Sequence, residues 1–275
     1  MSLTEPVILG AIQGATEFLP ISSSAHLRIA GEFLPSGMDP GATFTAITQI
    51  GTEVAVLVYF RRDIARIVRQ WTSALGGRVS VDDPDARMGW QIVLGTIPIG
   101  LAGYFGQRAI RSVFRTLQLT AVVLIVFGVA LGAADRLGRH TRELDDFGFR
   151  DGLLCGVAQA FALIPGVSRS GATTTMALAL GFSRTAAAEY AFLLAVPAVF
   201  ASGLYELATS LREPGRYGAK ETTLATLVSF GVGLGVISFL MKFISKRSFL
   251  PFAVYRLCLG GKLLILLSKG ILRSR

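Results

Sequence analysis

The 275-residue chain has little charge: 16% of its residues are Asp, Glu, Lys or Arg, against 52% hydrophobic, and its mean hydropathy is +0.56. That is too little charge to cover the surface of a soluble domain of this size, so the composition reads as a polytopic membrane protein. Basic residues are missing from the beginning, since none precedes Arg28 while Glu5 and Glu17 already appear. The apolar N-terminal stretch therefore lacks the basic start of a signal peptide and reads as retained structure. Cysteine is scarce: Cys155 and Cys258 sit singly in apolar segments without CxxC or other ligand spacing, which argues for packing residues and against a disulfide or metal cluster. The net charge of +9 is not gathered in one patch but punctuates the ends of the apolar runs. Anionic lipid headgroups, and not nucleic acid, are the partner this implies.

What is present is a set of apolar runs, each long enough to cross a hydrocarbon core of ~30 Å as a helix. They cover approximately 41–60, 88–106, 116–135, 186–208, 222–244 and 250–268, about six spans in an all-α membrane protein. After the first span, Ile64, Ile67, Val68, Trp71, Ala74 and Leu75 recur at helical spacing opposite Arg62, Arg66 and Arg69, the pattern of an interfacial amphipathic helix. Two further apolar segments, about 3–34 and 152–182, are broken near the middle by Pro20 and by Pro165-Gly166. A break there favours a re-entrant helical hairpin over a straight span. Each hairpin is followed by about three spans, so the second half is expected to be inverted relative to the first. The organisation is a single membrane domain, 1–275, with repeats of approximately 1–135 and 151–270. The polar linker 136–150, which contains His140, reads as a solvated loop.

The chemistry sits in the hairpins. Gln13 and Glu17 are four apart and share a face of the first half-helix, aimed at the break. Ser22, Ser23 and Ser24 stand at the expected start of the next half-helix, where unpaired backbone N–H groups and the positive dipole end favour an anion such as phosphate. His26, three residues beyond Ser23, can lie beside it and complete a hydroxyl, imidazole and carboxylate set able to activate a nucleophile. The second hairpin supplies Ser168, Arg169, Ser170 and Thr173 just after its own break, with Arg169 suited to clasp phosphate oxygens bidentately. Lone serines in membrane helices commonly bond to local carbonyls, but an acid, an imidazole and a guanidinium at two matched helix breaks argue for function. Glu53 and Glu189, also inside apolar segments, read either as buried hydrogen-bonding partners or as groups that support the site residues, and neither is assigned catalysis.

At these residues the chain resembles the undecaprenyl-diphosphatase family of bacterial membrane proteins, which is associated with bacitracin resistance. The family's (E/Q)xxxE motif falls on Gln13 and Glu17, its Pro-x-Ser-Ser turn and His on Pro20, Ser22, Ser23 and His26, and its PGxSRSxxT motif on Pro165, Gly166, Ser168, Arg169, Ser170 and Thr173. The resemblance implies hydrolysis of undecaprenyl diphosphate to undecaprenyl phosphate and inorganic phosphate, with Glu17, Ser23, His26 and Arg169 as the catalytic residues. Gln13, Ser22, Ser24, Ser168, Ser170 and Thr173 are then expected to bind substrate. Two versions stay open: Ser23 as nucleophile with His26 or Glu17 as base, or His26 as nucleophile with Ser23 donating to the oxyanion. No organic cofactor is expected. A divalent cation, Mg2+ or Ca2+, would rest on Glu17 and the diphosphate itself, because Gln13 replaces the first acid of the motif.

The expected setting is the bacterial cytoplasmic membrane, with a polyprenyl diphosphate and membrane lipids as partners and a homodimer kept open. Lys and Arg are in modest excess on the side of Arg61, Arg62, Arg66, Arg136, Arg139, Arg184 and Lys246, which places that side in the cytoplasm and opens the site outward. The rival from another class is a lipid-carrier transporter or flippase, since inverted repeats with broken helices also build transporters. Transport alone does not call for a nucleophile, base and Arg in one place.

Overall fold

The computed structural model describes residues 3–35, 39–111, 116–210 and 216–272. Among the described residues there is no β-strand, and eleven α-helices follow in chain order. They are α1 (Thr4–Thr16), α2 (Ser23–Phe33), α3 (Ala42–Tyr59), α4 (Arg61–Leu75), α5 (Pro84–Arg111), α6 (Leu117–Leu137), α7 (Phe149–Ala160), α8 (Arg169–Ala179), α9 (Arg184–Ser210), α10 (Ala219–Ile244) and α11 (Leu250–Ser268). Six of them, α3, α5, α6, α9, α10 and α11, are long and apolar enough to cross a membrane, and they coincide with the six runs read from hydropathy. The chain is a multi-pass membrane protein. In α4, Arg61, Arg62, Arg66 and Arg69 are exposed and Ile67 and Ala74 buried, as its periodicity implies. Val68 and Leu75 of the apolar face nevertheless stay exposed, because only part of that face meets α5.

Of the remaining five, α1, α2, α7 and α8 are half-length and come in pairs. α1 stops at Thr16, four residues short of Pro20, and α2 starts at Ser23; α7 stops at Ala160, a short 3-10 turn covers Phe161–Leu163, and α8 starts at Arg169. Each turn closes on a serine with left-handed backbone, Ser22 at φ 73° and ψ 95° and Ser168 at φ 69° and ψ 119°. Such a conformation costs a non-glycine residue about 1–3 kcal/mol and persists only where the surroundings over-determine it.

The start of α7 and the end of α8 lie together. The Arg142 guanidinium donates to both carboxylate oxygens of Asp151 in the first turn of α7, at 3.2 and 2.6 Å, and to the carbonyl of Leu180 at the end of α8, at 3.2 Å. The hydrogen bonds to Asp151 push this guanidinium above its ordinary value. In the first pair, Leu9 of α1 and Leu27 of α2 share one apolar cluster with Phe44 of α3, Ala225 of α10 and Tyr217, whose hydroxyl donates to Glu5.

The half-helices reach the centre of the bundle through glycine. A Cβ on Gly10 would lie 2.4 Å from the Ala225 carbonyl oxygen of α10, and one on Gly14 would lie 2.7 Å from that of Ser229. In the other half, a Cβ on Gly156 of α7 would lie 2.2 Å from the Gly95 carbonyl oxygen of α5. Thus α1 packs on α10 and α7 on α5, while α3 meets α9 and α6 meets α11. These contacts bring the turn after α1 and the turn before α8 together, walled by an apolar core that includes Phe18, Val56, Tyr190 and Phe192.

Candidate active site

The two turns meet at one carboxylate. Glu17, the first residue past α1, accepts three side-chain donors. Gln13 Nε2 donates to its Oε2 at 2.6 Å from one helical turn back. The Ser23 hydroxyl donates to the same oxygen, also at 2.6 Å, from the first turn of α2. Arg169 Nη2, from the start of α8 in the other half of the chain, pairs with its Oε1. The backbone carbonyl of Glu17 also accepts from the Ser170 hydroxyl at 3.2 Å. Glu17 and Ser23 are buried, and Arg169 is shielded between the two half-helix pairs.

A second carboxylate stands behind the guanidinium. Glu53 of α3 is 1% exposed, and its Oε1 lies 3.6 Å from Arg169 Nη2, while its Oε2 is buried without a partner. Glu17, Phe18, Glu53, Arg169, Ser170 and Phe192 line one cavity. Gln13 Oε1 is likewise buried without a partner. These two unpartnered oxygens are hard donors of the kind Mg2+ or Ca2+ takes, and they adjoin the Glu17 carboxylate, so the residues present suit a divalent cation. Among the described residues no group of three or more His, Cys, Asp or Glu side chains could hold a metal ion by itself, so most ligands would have to come from elsewhere.

The helix starts differ. In α8 the Ser168 hydroxyl caps the helix by accepting from Gly171 N at 3.2 Å, and it lies 3.2 Å from the Ser170 hydroxyl. In α2 the Ser22 side chain makes no such cap and lies 3.2 Å from the Ser24 hydroxyl instead. The first backbone N–H groups of α2 are therefore left open to an anion, where the helix dipole also favours one. Thr173 is fully buried with Oγ1 unpartnered, as are both amide atoms of Gln159, the residue of α7 that corresponds to Gln13.

His26 is not where the spacing suggests. Its Nδ1 lies 2.8 Å from the Ser22 carbonyl oxygen and its Nε2 lies 2.7 Å from the Tyr255 hydroxyl, so the imidazole does not bond Ser23. Three-residue spacing puts the two on adjacent faces, but Ser23 is the first residue of α2 and its side chain turns back across the break to Glu17. Of the sequence-derived set, Gln13, Glu17, Ser23, Arg169 and Ser170 converge directly.

The sequence reading passed over Arg256. It is a fully buried residue of α11, and it donates from Nη1 to the carbonyls of Pro20 and Val167, both at 3.0 Å. Nη2 donates to the Gly166 carbonyl at 2.7 Å and Nε to that of Leu124 at 3.3 Å. One guanidinium thus ties the backbone of both turns together. An unpartnered buried arginine would be costly, but four carbonyls satisfy most of its donors. A lone Arg in the middle of an apolar run was the available signal.

Comparison with known proteins adds to this geometry. Residues 6–262 match the family model of the bacitracin resistance protein BacA. The chain is 60% identical to a protein of Micrococcus luteus named undecaprenyl-diphosphatase, with all of both chains covered. It is also 60% identical, again over both full lengths, to one of that name from Clavibacter michiganensis subsp. michiganensis. With one from Thermobifida fusca the identity is 54%, over 99% of this chain and 92% of that protein.

Proposed function

Because the chain belongs to the family of the bacitracin resistance protein BacA, we propose that its two facing turns are the centre at which it hydrolyses undecaprenyl diphosphate to undecaprenyl phosphate and inorganic phosphate. One observation carries the assignment: the Ser23 hydroxyl is already hydrogen-bonded to a carboxylate that the arginine of the other turn holds. A hydroxyl, a base in contact with it and a cation beside both are what phosphoryl transfer to an enzyme side chain needs.

The terminal phosphate binds against the open N–H groups of α2 and the guanidinium of Arg169. To reach the phosphate oxygens Arg169 lets go of Glu17, so substrate binding itself frees the base. Glu17 then takes the Ser23 proton as Oγ attacks the terminal phosphorus. The bond from that phosphorus to the bridging oxygen breaks, and undecaprenyl phosphate leaves with the electron pair. Water next attacks the phosphoserine, loses a proton to a neighbouring base, and displaces Ser23 Oγ, which recovers its own proton from Glu17. Glu53 holds Arg169 near the site when the phosphate is absent, and Ser168, Ser170 and Thr173 shape the second turn around the departing group. Glu17, Glu53 and Gln13 would hold a Mg2+ or Ca2+ ion, which would supply positive charge against the phosphate oxygens.

The hydrolysis returns a lipid carrier to use in cell-wall synthesis, which accounts for bacitracin resistance as a family trait. The setting that supports this is the bacterial cytoplasmic membrane, with both half-helix pairs as re-entrant hairpins in an inverted repeat. The matched packing of α1 on α10 and α7 on α5, of α3 on α9 and of α6 on α11 supports the repeat. Lys and Arg cluster at the end shared by α4 and the start of α7, so that end is assigned to the cytoplasm and the first turn is reached from the outer face. The same reading puts Arg28, Arg216, Lys220 and Lys269 on the outer side together with Arg115, Arg212, Arg273 and Arg275, which lie outside the described residues. Phosphate release from undecaprenyl diphosphate by the purified chain in detergent, where no two compartments exist, tests hydrolysis against transport. Loss of release in Glu17→Gln with retained folding is the expected result, and full release in that variant would remove Glu17 as the base.

A further inference from the structure

The imidazole of His26 is held at both nitrogens. The Ser22 carbonyl can only accept, so Nδ1, 2.8 Å away, carries a proton. In the neutral ring Nε2 is then the lone-pair nitrogen, and the Tyr255 hydroxyl, 2.7 Å away, donates to it. The two rings also stack, with centroids 5.6 Å apart and an interplanar angle of 11°. Among the described residues no carboxylate pairs with this imidazole, so the tyrosine alone orients its far nitrogen.

Tyr255 is well placed for that task and poorly placed for a purely structural one. It is 43% exposed, so its hydroxyl is not needed to fill the core. Its neighbour Arg256 fixes the carbonyls of Pro20, Gly166 and Val167, and consecutive residues of α11 therefore hold the backbone of the turns and the imidazole beside them. His26 is in turn bonded to Ser22, the residue whose left-handed backbone closes the first turn.

We propose that Tyr255 is a positioning residue of the hydrolysis: with the Nδ1 proton held by the Ser22 carbonyl, its hydroxyl fixes the far side of the His26 ring so that Nε2 is the proton acceptor for the water that releases phosphate. This rests on reading the two turns as the phosphoryl-transfer centre. In the second half of the reaction the tyrosine hydroxyl yields Nε2 to the attacking water. The water oxygen bonds the phosphorus, one of its protons passes to Nε2, and the bond to Ser23 Oγ breaks with its electron pair on that oxygen. The Nε2 proton then leaves with the phosphate, and the tyrosine hydroxyl re-forms its bond.

The chain has two histidines, so protein carrying 15N-histidine gives two imidazoles, and His26→Asn identifies the one at the turn. Nitrogen NMR of the purified protein in detergent is expected to find His26 protonated at Nδ1 and bare at Nε2. Tyr255→Phe keeps the stacked ring and removes the donor; the ring is expected to stay Nδ1–H while the Nε2 resonance shifts as its hydrogen bond is lost, with kcat down about tenfold, the worth of one hydrogen bond, and KM unchanged. Adding Tyr255→Phe to His26→Asn is expected to cost nothing further. A wild-type ring protonated at Nε2, an Nε2 resonance indifferent to Tyr255→Phe, or additive losses in the double variant would each overturn the proposal. The spectrum is read without turnover, so a failure of the serine reading, seen as no label on Ser23 during turnover, stays distinguishable from a failure of this one.

Discussion

Glu17 and Arg169 form an ion pair between two helix breaks that lie 152 residues apart in the chain. Neither break is a complete site. The first holds a hydroxyl and its base but no cation, and the second holds the cation but no base. Joining them at one carboxylate neutralises Glu17 at rest and lets an incoming diphosphate exchange places with it on the guanidinium.

Arg169→Lys tests that exchange. Lysine keeps the charge but cannot hold a carboxylate and then grip two phosphate oxygens with a planar fork, so turnover is expected to fall roughly 100-fold in a protein that still folds. Steady-state phosphate release measures it, and a near-wild-type rate would contradict the role.

Arg256→Lys separates alignment from chemistry. A lysine ammonium cannot span the carbonyls of Pro20, Gly166, Val167 and Leu124, and at least one is left without its donor. A buried acceptor that loses its partner costs about 1–3 kcal/mol. Both kcat and the temperature of inactivation are expected to drop; unchanged values would show that the two turns align without this residue.

The spans were legible because a membrane helix announces itself by length and hydropathy, and each helix break because Pro20 and Pro165 interrupt an apolar run. Gln13, Glu17 and Ser23 were legible as local spacing, and Arg169 as a charge at a matched break. Arg256 was not, because its partners are backbone carbonyls 236 and 90 residues away, which carry no side-chain signature. His26 was placed beside Ser23 by helical spacing alone. That rule fails at the first residue of a helix, where the side chain is free to turn back over the break.

Glycine gives a paired test of packing. Gly14→Leu forces a side chain into the backbone of α10, where a Cβ would already lie 2.7 Å from the Ser229 carbonyl oxygen, and is expected to abolish folded protein. Gly231→Leu, on α10 itself, meets nothing within 4 Å and is expected to leave expression and activity at wild-type level. Size-exclusion profiles in detergent read both, and equal behaviour would contradict the close approach of α1 to α10.

Orientation is tested with single cysteines in place of Arg78 and Lys269, both exposed, in a background lacking Cys155 and Cys258. A membrane-impermeant thiol reagent on intact cells is expected to label the Lys269 position and to reach Arg78 only after permeabilisation. The reverse pattern would put the first turn on the cytoplasmic side.

The central claim is that Ser23, bonded to Glu17, receives the phosphate. Turnover of undecaprenyl diphosphate labelled in its terminal phosphate, quenched with acid after milliseconds and mapped by peptide, measures it directly. The account expects label on Ser23, abolished in Ser23→Ala and in Glu17→Gln. Label on His26, or rapid hydrolysis with no labelled residue at any quench time, would contradict it.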